Sequence, residues 1–270
     1  MQYLFRRTEK LKEELRRKFI LLLLDYDGTL VPIAQTPQKA VMPQETKELL
    51  RRLSRSAYCK IGIISGRPLE GVKNTVGVKD IIYAGNHGLE IAGPKIKFRT
   101  QLSPGLKALM RHIAEGLKKQ LSKIKGVLIE DKGLTISVHY RLVAGKDMQE
   151  FLNIFRGIAG PYIFRNKIKV GSGKKVYEIK PPIRWDKGKV VLWLMARQQF
   201  IVGGKMVLPV YIGDDVTDED AFKALKRKGL TIFVGRPGNS GAGYYLKDTK
   251  EVTKFLRLIL KLKNNRLCQT

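Results

Sequence analysis

The feature that most constrains this chain is a six-residue apolar run, Phe19-Ile20-Leu21-Leu22-Leu23-Leu24, that breaks off into Asp25-Tyr26-Asp27-Gly28-Thr29-Leu30. The run is too short to span a bilayer. It reads as a strand buried on both faces of a parallel sheet. In open α/β sheets, ligands gather beyond the carboxyl ends of the strands, which is where Asp25 falls. Alternation would send Asp25 and Asp27 to one side of an extended chain, although Gly28 marks the strand as already ended. Carboxylates held this close repel unless a cation neutralises them, and a hard, oxygen-seeking ion such as Mg²⁺ meets that need. Taken alone, an Asp-x-Asp pair at a strand end is also compatible with a loop carrying two solvated acids.

At 270 residues the chain is long enough for one large domain, or for a core with a second domain inserted. A hydrophobic share of 43% supports a sizeable core and excludes general disorder. The two cysteines are too few for a disulfide framework, and no Cys/His spacing suggests zinc. Cys59 is expected in or near a strand and Cys268 in a tail, in a reducing, cytoplasmic setting. The Phe19–Leu24 run lacks a small-residue cleavage site, so it is not read as a signal peptide. The balance of 52 Lys+Arg against 24 Asp+Glu, formally +28, favours anionic partners: phosphorylated substrates, nucleic acid or an acidic membrane face. The basic residues are spread along the whole length, with no compact basic run interleaved with aromatics. Attraction of a phosphate ester is therefore favoured over dedicated nucleic-acid binding.

Residues 1–18 carry an imperfect helical stripe, Leu4, Phe5, Leu11 and Leu15, read as an amphipathic helix packed on the body rather than on a membrane. Residues 31–43 read as a loop, and Pro43 opens a helix through Leu49, Leu50 and Leu53. A strand over Lys60–Ile64 ends in Ser65-Gly66-Arg67-Pro68. Ser65 could donate to a phosphoryl oxygen there, although Ser-Gly-Arg is also a common turn. Another strand, Ile81–Gly85, runs into Asn86-His87-Gly88-Leu89-Glu90; His87 is either a structural hydrogen-bonder or a residue lining the cleft.

The rhythm changes between residues 95 and 183. Helix signals over Leu102–Leu121 and Met148–Ile158 alternate with two hairpins. The first is Val127–Glu130 with Leu134–His139 across Asp131-Lys132-Gly133; the second is Ile168–Val170 with Val176–Ile179 across Gly171-Ser172-Gly173. That order describes an inserted α+β unit, closed by Pro181-Pro182. The expected organisation is thus a core of 1–94 and 184–270 with an insert over 95–183. Trp185-Asp186-Lys187-Gly188-Lys189 opens a helix, where Lys187 sits awkwardly against the positive dipole end unless an anion or the site's carboxylates lie there. An exposed lysine is the plainer alternative. A last central strand, Val207–Ile212, precedes Gly213, and residues 214–220 hold five acids in seven positions. A helix start over the later acids, continued through Ala221–Lys228, explains those; Asp214 and Asp215 are better explained by metal chemistry. A strand over Leu230–Val234 and a helix over Glu251–Leu262 complete the chain.

Asp25-Tyr26-Asp27-Gly28-Thr29-Leu30 resembles the first motif of the haloacid-dehalogenase-like (HAD) phosphatases, and Ser65-Gly66-Arg67 their second. The ordered set also includes Gly85-Asn86-His87-Gly88-Leu89-Glu90, Val138-His139-Tyr140-Arg141, Glu178-Ile179-Lys180-Pro181, Trp185-Asp186-Lys187-Gly188 and the acidic run from Gly213 to Asp220. Together these resemble the trehalose-6-phosphate phosphatases, over most of the chain. The basic leading segment and Lys180, where the family often carries arginine, depart from the pattern. The resemblance implies a HAD-type Rossmann-like core with a parallel sheet and an inserted α+β cap (αββαββ). It implies a Mg²⁺-dependent phosphatase with Asp25 as nucleophile and Asp27 as general acid and base. It further implies Mg²⁺ on Asp25, the Asp27 main-chain carbonyl and Asp214, with Ser65 and Lys187 on the phosphate. Asp215 and Asp218 would support the metal or Lys187, while Arg67, His87, Glu130, Lys132, Arg141 and Glu178 would face the sugar phosphate. A monomer that works beside a trehalose-6-phosphate synthase, with no membrane or nucleic-acid partner, is the expected setting. The rival readings are sucrose-6-phosphate or mannosyl-3-phosphoglycerate phosphatase, phosphomannomutase, or a non-catalytic anion- or nucleic-acid-binding module.

Overall fold

The strand expected at Phe19–Leu24 forms over those residues, all of them buried, in the middle of a nine-stranded sheet. The computed structural model describes residues 1–6, 8–203 and 206–267; Cys268 lies outside the described residues. In chain order the elements are β1 (Gln2–Tyr3), α1 (Thr8–Arg17), β2 (Phe19–Leu24), α2 (Gln44–Ser54), β3 (Cys59–Ile64), α3 (Leu69–Val76), β4 (Ile82–Gly85), β5 (Glu90–Gly93) and β6 (Ile96–Arg99). Then come α4 (Pro104–Leu121), β7 (Leu128–Asp131), β8 (Ile136–His139), α5 (Met148–Phe164), β9 (Lys169–Gly173) and β10 (Val176–Lys180). The chain ends with α6 (Lys187–Val202), β11 (Val207–Gly213), α7 (Glu219–Leu225), β12 (Leu230–Val234), β13 (Tyr244–Leu246) and α8 (Thr249–Leu267). No helix among the described residues is long and apolar enough to cross a membrane.

Two units result: Met1–Phe98 with Trp185–Thr270, and Arg99–Arg184. The first carries the nine-stranded sheet in the order β1-β13-β12-β11-β2-β3-β4-β5-β6, parallel from β1 to β4. Strand β2 shows why its sequence has no polar alternation. Ile20, Leu22 and Leu24 enter one apolar cluster with α1, α2 and α8, whereas Leu21 and Leu23 enter another with α6 and α7. Each of these leucines has no exposure, and burying one contributes about 2 kcal/mol. The same alternation assigns Asp25 to the face of Leu21 and Leu23, where α6 begins.

Several elements depart from the sequence expectations. The leading residues form a short parallel strand, β1, before α1, whose Leu11 and Leu15 are buried in the core. The insert begins later than residue 95, because β5 and β6 add to the sheet edge of the first unit. Helix α3 had no strong signal, since Val72 and Val76 are its only fully buried residues. In the second unit, α4 and α5 pack on one face of a four-stranded antiparallel sheet, β7-β8-β10-β9. Its second hairpin turns at Lys174-Lys175, not at the glycines, which pair within β9; Lys175 takes up the left-handed conformation with φ 66°. Helix α5 runs six residues beyond the expected end at Ile158, to Phe164, and accommodates Pro161.

Candidate active site

The carboxyl ends of β2 and β11 and the first turn of α6 converge on one buried cluster. Asp25, Lys187, Asp214 and Asp218 are each 5% exposed or less. Asp25 is fixed by its main-chain N–H, which donates to Ile212 O at 2.9 Å, so the two strand ends are tied to each other. Lys187 opens α6 behind Asp186, whose side chain caps the helix by accepting from Lys189 N at 2.9 Å. Its ammonium lies 2.7 Å from Asp25 Oδ1 and 2.7 Å from Asp218 Oδ1. A cation at a helix N-terminus is unfavourable, and these two carboxylates offset it.

Asp218 is saturated. Its Oδ1 accepts from Lys187 and from the Tyr211 hydroxyl at 2.6 Å, while Oδ2 accepts the N–H groups of Asp214 and Asp215, each at 2.9 Å. Four donors fill the four lone-pair positions of a carboxylate. Asp215 turns its own side chain to Val216 N at 2.8 Å and caps the 3₁₀ turn that leads into α7. It is therefore a helix-start residue here and lies outside the acidic cluster.

One oxygen each from Asp25, Asp214 and Asp218 lie within 4.8 Å of one another. With Asp218 fully engaged, Asp25 and Asp214 are the carboxylates suited to a metal ion. Three acids and one lysine leave an excess of negative charge. Burial first, then the charges of Asp218 and Asp214, push the Asp25 carboxyl well above its ordinary range, with Lys187 opposing. Lys187 is held well above its own ordinary value: burial works against its charge, but Asp218 and Asp25 outweigh it. Asp218 is lowered despite burial, through Lys187, Tyr211 and the backbone donors. A hard divalent cation fits this donor set and charge. Gly28 completes the cradle. Its φ is +90°, and a Cβ there would lie 2.0 Å from Asp214 Oδ2, so only glycine leaves room for that carboxylate.

Asp27 is arranged differently from Asp25. Its carboxylate is outside the acidic cluster and accepts both Arg67 Nε and Nη2, each at 2.7 Å. Arg67 also donates to Pro37 O at 2.8 Å and lies over the Tyr26 ring at 4.8 Å. Sequence reasoning gave Arg67 to the substrate; the structure puts its guanidinium on Asp27. Ser65, at the end of β3, is buried, and its Oγ accepts Arg67 N at 3.1 Å. His87 N donates to Ser65 O at 2.9 Å and Asn86 N to Arg67 O at 2.7 Å, so the 86–87 turn braces the 65–67 loop. Both residues are left-handed, with φ 49° and 57°, a cost of roughly 1 kcal/mol or more each that the bracing must offset. The His87 ring lies against Gly66, not at the acidic cluster.

In the second unit, Glu130, Ser137 and Glu178 are direct register partners across β7, β8 and β10. Glu178 Oε1 accepts from Ser137 Oγ and, at 3.2 Å, from Lys132 Nζ. Glu130 Oε2 lies 2.7 Å from His139 Nε2. Burial works against charge on Glu130, but the His139 hydrogen bond and Lys132 prevail and hold its carboxyl below the ordinary range. Glu130, Lys132 and Glu178 are thus brought onto one polar sheet face, which His139 and Ser137 join. Arg141 is exposed and donates to Lys174 O at 2.6 Å, bracing a hairpin instead of joining that group.

The family model of the trehalose-phosphatases matches residues 23–243. A probable trehalose-phosphate phosphatase 4 of Oryza sativa is 36% identical, over 94% of this chain and 70% of its own. Trehalose 6-phosphate phosphatase RA3 of Zea mays is 34% identical, over 96% and 74% respectively. Among solved structures, the C-terminal domain of the C. albicans trehalose-6-phosphate phosphatase superposes with a TM-score of 0.79 at 22% identity, covering 96% of this chain and 98% of that one. A haloacid dehalogenase-like hydrolase from Bacteroides thetaiotaomicron shares the fold, at a TM-score of 0.62 and 16% identity, over 90% and 100% of the two chains. With this fold and these relatives, the chain belongs to the trehalose-phosphatase family and is an enzyme that hydrolyses a phosphate monoester.

Proposed function

We propose that this enzyme hydrolyses trehalose 6-phosphate to trehalose and inorganic phosphate, the last step of trehalose biosynthesis, through an aspartyl phosphate on Asp25. The observation that carries the reading is the shared ammonium of Lys187, 2.7 Å from both Asp25 and Asp218 in a fully buried setting. An ammonium there orients the attacking carboxylate and keeps a third N–H for a phosphoryl oxygen. Ser65, its Oγ oriented by the Arg67 N–H, has a hydroxyl hydrogen to give to a second phosphoryl oxygen.

Asp25 attacks phosphorus, the bond from phosphorus to the sugar oxygen breaks, and that oxygen takes a proton from Asp27, which enters the step as the protonated acid, released from its pair with Arg67. Water then gives a proton to Asp27 and attacks phosphorus, which breaks the bond to Asp25 and frees phosphate. To serve both steps, Asp27 must turn one oxygen from Arg67 to the sugar oxygen or the water. Mg²⁺, held by Asp25, Asp214 and the Asp27 carbonyl, would supply Lewis-acid charge that offsets repulsion between carboxylate and phosphate. In the second unit, Glu130, Lys132 and Glu178 provide acceptors and a donor for sugar hydroxyls, the means of recognising an uncharged glucose.

The test is phosphate release from a panel of sugar phosphates, with Mg²⁺ and after chelation. Trehalose 6-phosphate should be hydrolysed best and only with the metal. Preference for sucrose 6-phosphate or mannosyl-3-phosphoglycerate would overturn the substrate assignment.

A further inference from the structure

Lys187 is pulled two ways. Asp25 Oδ1 and Asp218 Oδ1 both lie 2.7 Å from its ammonium, and both acids are buried, so water weakens neither attraction. Whichever acid holds the ammonium more strongly decides whether it serves the nucleophile. Asp218 stands over β11, so close that a Cβ on Gly213 would lie 2.3 Å from its Cγ. Two residues earlier on the same strand, Tyr211 aims its hydroxyl at Asp218 Oδ1, 2.6 Å away. Its ring has no exposure and packs edge-on against Phe222, with centroids 5.7 Å apart. A phenylalanine would fill that apolar space as well, so packing alone does not call for the hydroxyl.

We propose that Tyr211 is a positioning residue for Lys187: by donating to the Asp218 oxygen that Lys187 also uses, it weakens that oxygen's hold and leaves the ammonium to Asp25 and the phosphoryl group. The inference rests on the phosphatase reading above. An acceptor that already takes one strong hydrogen bond has less charge to offer a second donor. Removing the hydroxyl leaves Asp218 Oδ1 with Lys187 alone, and the ammonium is drawn towards it. The main-chain donors on Oδ2 keep Asp218 in place, so the lysine is the group that moves.

The experiment is a double-mutant cycle read by calorimetric binding of inorganic phosphate in the presence of Mg²⁺. In the parent enzyme, Tyr211→Phe should weaken phosphate about tenfold, the scale of one hydrogen bond to a charged group. In a Lys187→Met background the same change should cost less than about twofold. Asp218→Asn, which removes the competing charge without removing the lysine, should likewise suppress the effect; it serves if Lys187→Met does not fold. Unchanged phosphate affinity in Tyr211→Phe overturns the proposal. So does an equal loss in all backgrounds, because Tyr211 would then act through packing. Phosphate bound by folded Lys187→Met as tightly as by the parent overturns both the proposal and the phosphate-site reading beneath it. If Lys187→Met weakens phosphate while Tyr211→Phe does not, only the role of Tyr211 falls.

Discussion

Both units of this protein set a lysine against carboxylates, and they do it with different materials. In the first, Lys187 meets Asp25 and Asp218 at the ends of parallel strands and the start of a helix, where main-chain hydrogen bonds fix the backbones of both acids. In the second, Lys132 meets Glu178 from a turn beside an antiparallel sheet, and Glu130 is steadied by a single histidine ring. The first arrangement is buried, and its Asp218 is saturated. Removing one member leaves a buried charge unpaired, at a cost of about 3–5 kcal/mol. The second consists of side-chain hydrogen bonds to charged groups, each contributing about 1.5–3 kcal/mol, around a Lys132–Glu178 pair that is also buried. Under the proposed function, the difference corresponds to a division of labour: the strand ends would serve chemistry that cannot vary, and the sheet face a choice of sugar that can be graded.

The comparison can be broken first at Asp25. An amide is a poor nucleophile but still accepts a hydrogen bond from Lys187, so Asp25→Asn should fold while its turnover falls by about 10⁴ or more. Phosphate release beside a circular dichroism spectrum checks both halves. More than a few per cent of residual activity in the folded variant would remove the covalent mechanism. The next effect concerns the metal. Chelation should silence the parent and Mg²⁺ restore it, and Asp214→Ala should need far more Mg²⁺ or fail outright. A titration of activity against metal concentration reads this directly, and full activity after exhaustive chelation would take Mg²⁺ out of the account.

How much of this was legible in the sequence follows the range of the interaction. Strands that are buried on both faces announce themselves as near-continuous apolar runs, and the groups that end them, Asp25, Ser65 and Asp214, are readable for the same reason. The awkward placement of Lys187 at a helix start was also a local signal. What the chain does not display is pairing across distance. Arg67 and Asp27 are 40 positions apart, and nothing near either names the other. Tyr211 reads as one more apolar strand residue, and its hydroxyl gains meaning only once α7 and Asp218 fold back over Gly213. His139 was quoted within a motif, yet its bond to Glu130 depends on the register of β7 on β8. Glycines misled at the second hairpin. Gly171 and Gly173 pair within β9, and the turn uses Lys175 at φ 66° instead. Short strands near the sheet edge, such as β13, carry too few apolar positions to stand out.

The division of labour is tested most directly by Glu178→Ala, assayed with trehalose 6-phosphate and with a small aryl phosphate that has no sugar to recognise. Glu178 is buried and bonded to Lys132 and Ser137 within its own unit, so its loss should reach only what that sheet face binds. The account predicts a fall in kcat/KM of more than about tenfold for trehalose 6-phosphate and almost none for the aryl phosphate. Equal losses on both substrates would contradict it, because Glu178 would then support the fold or the chemistry and the sheet face would not choose the sugar.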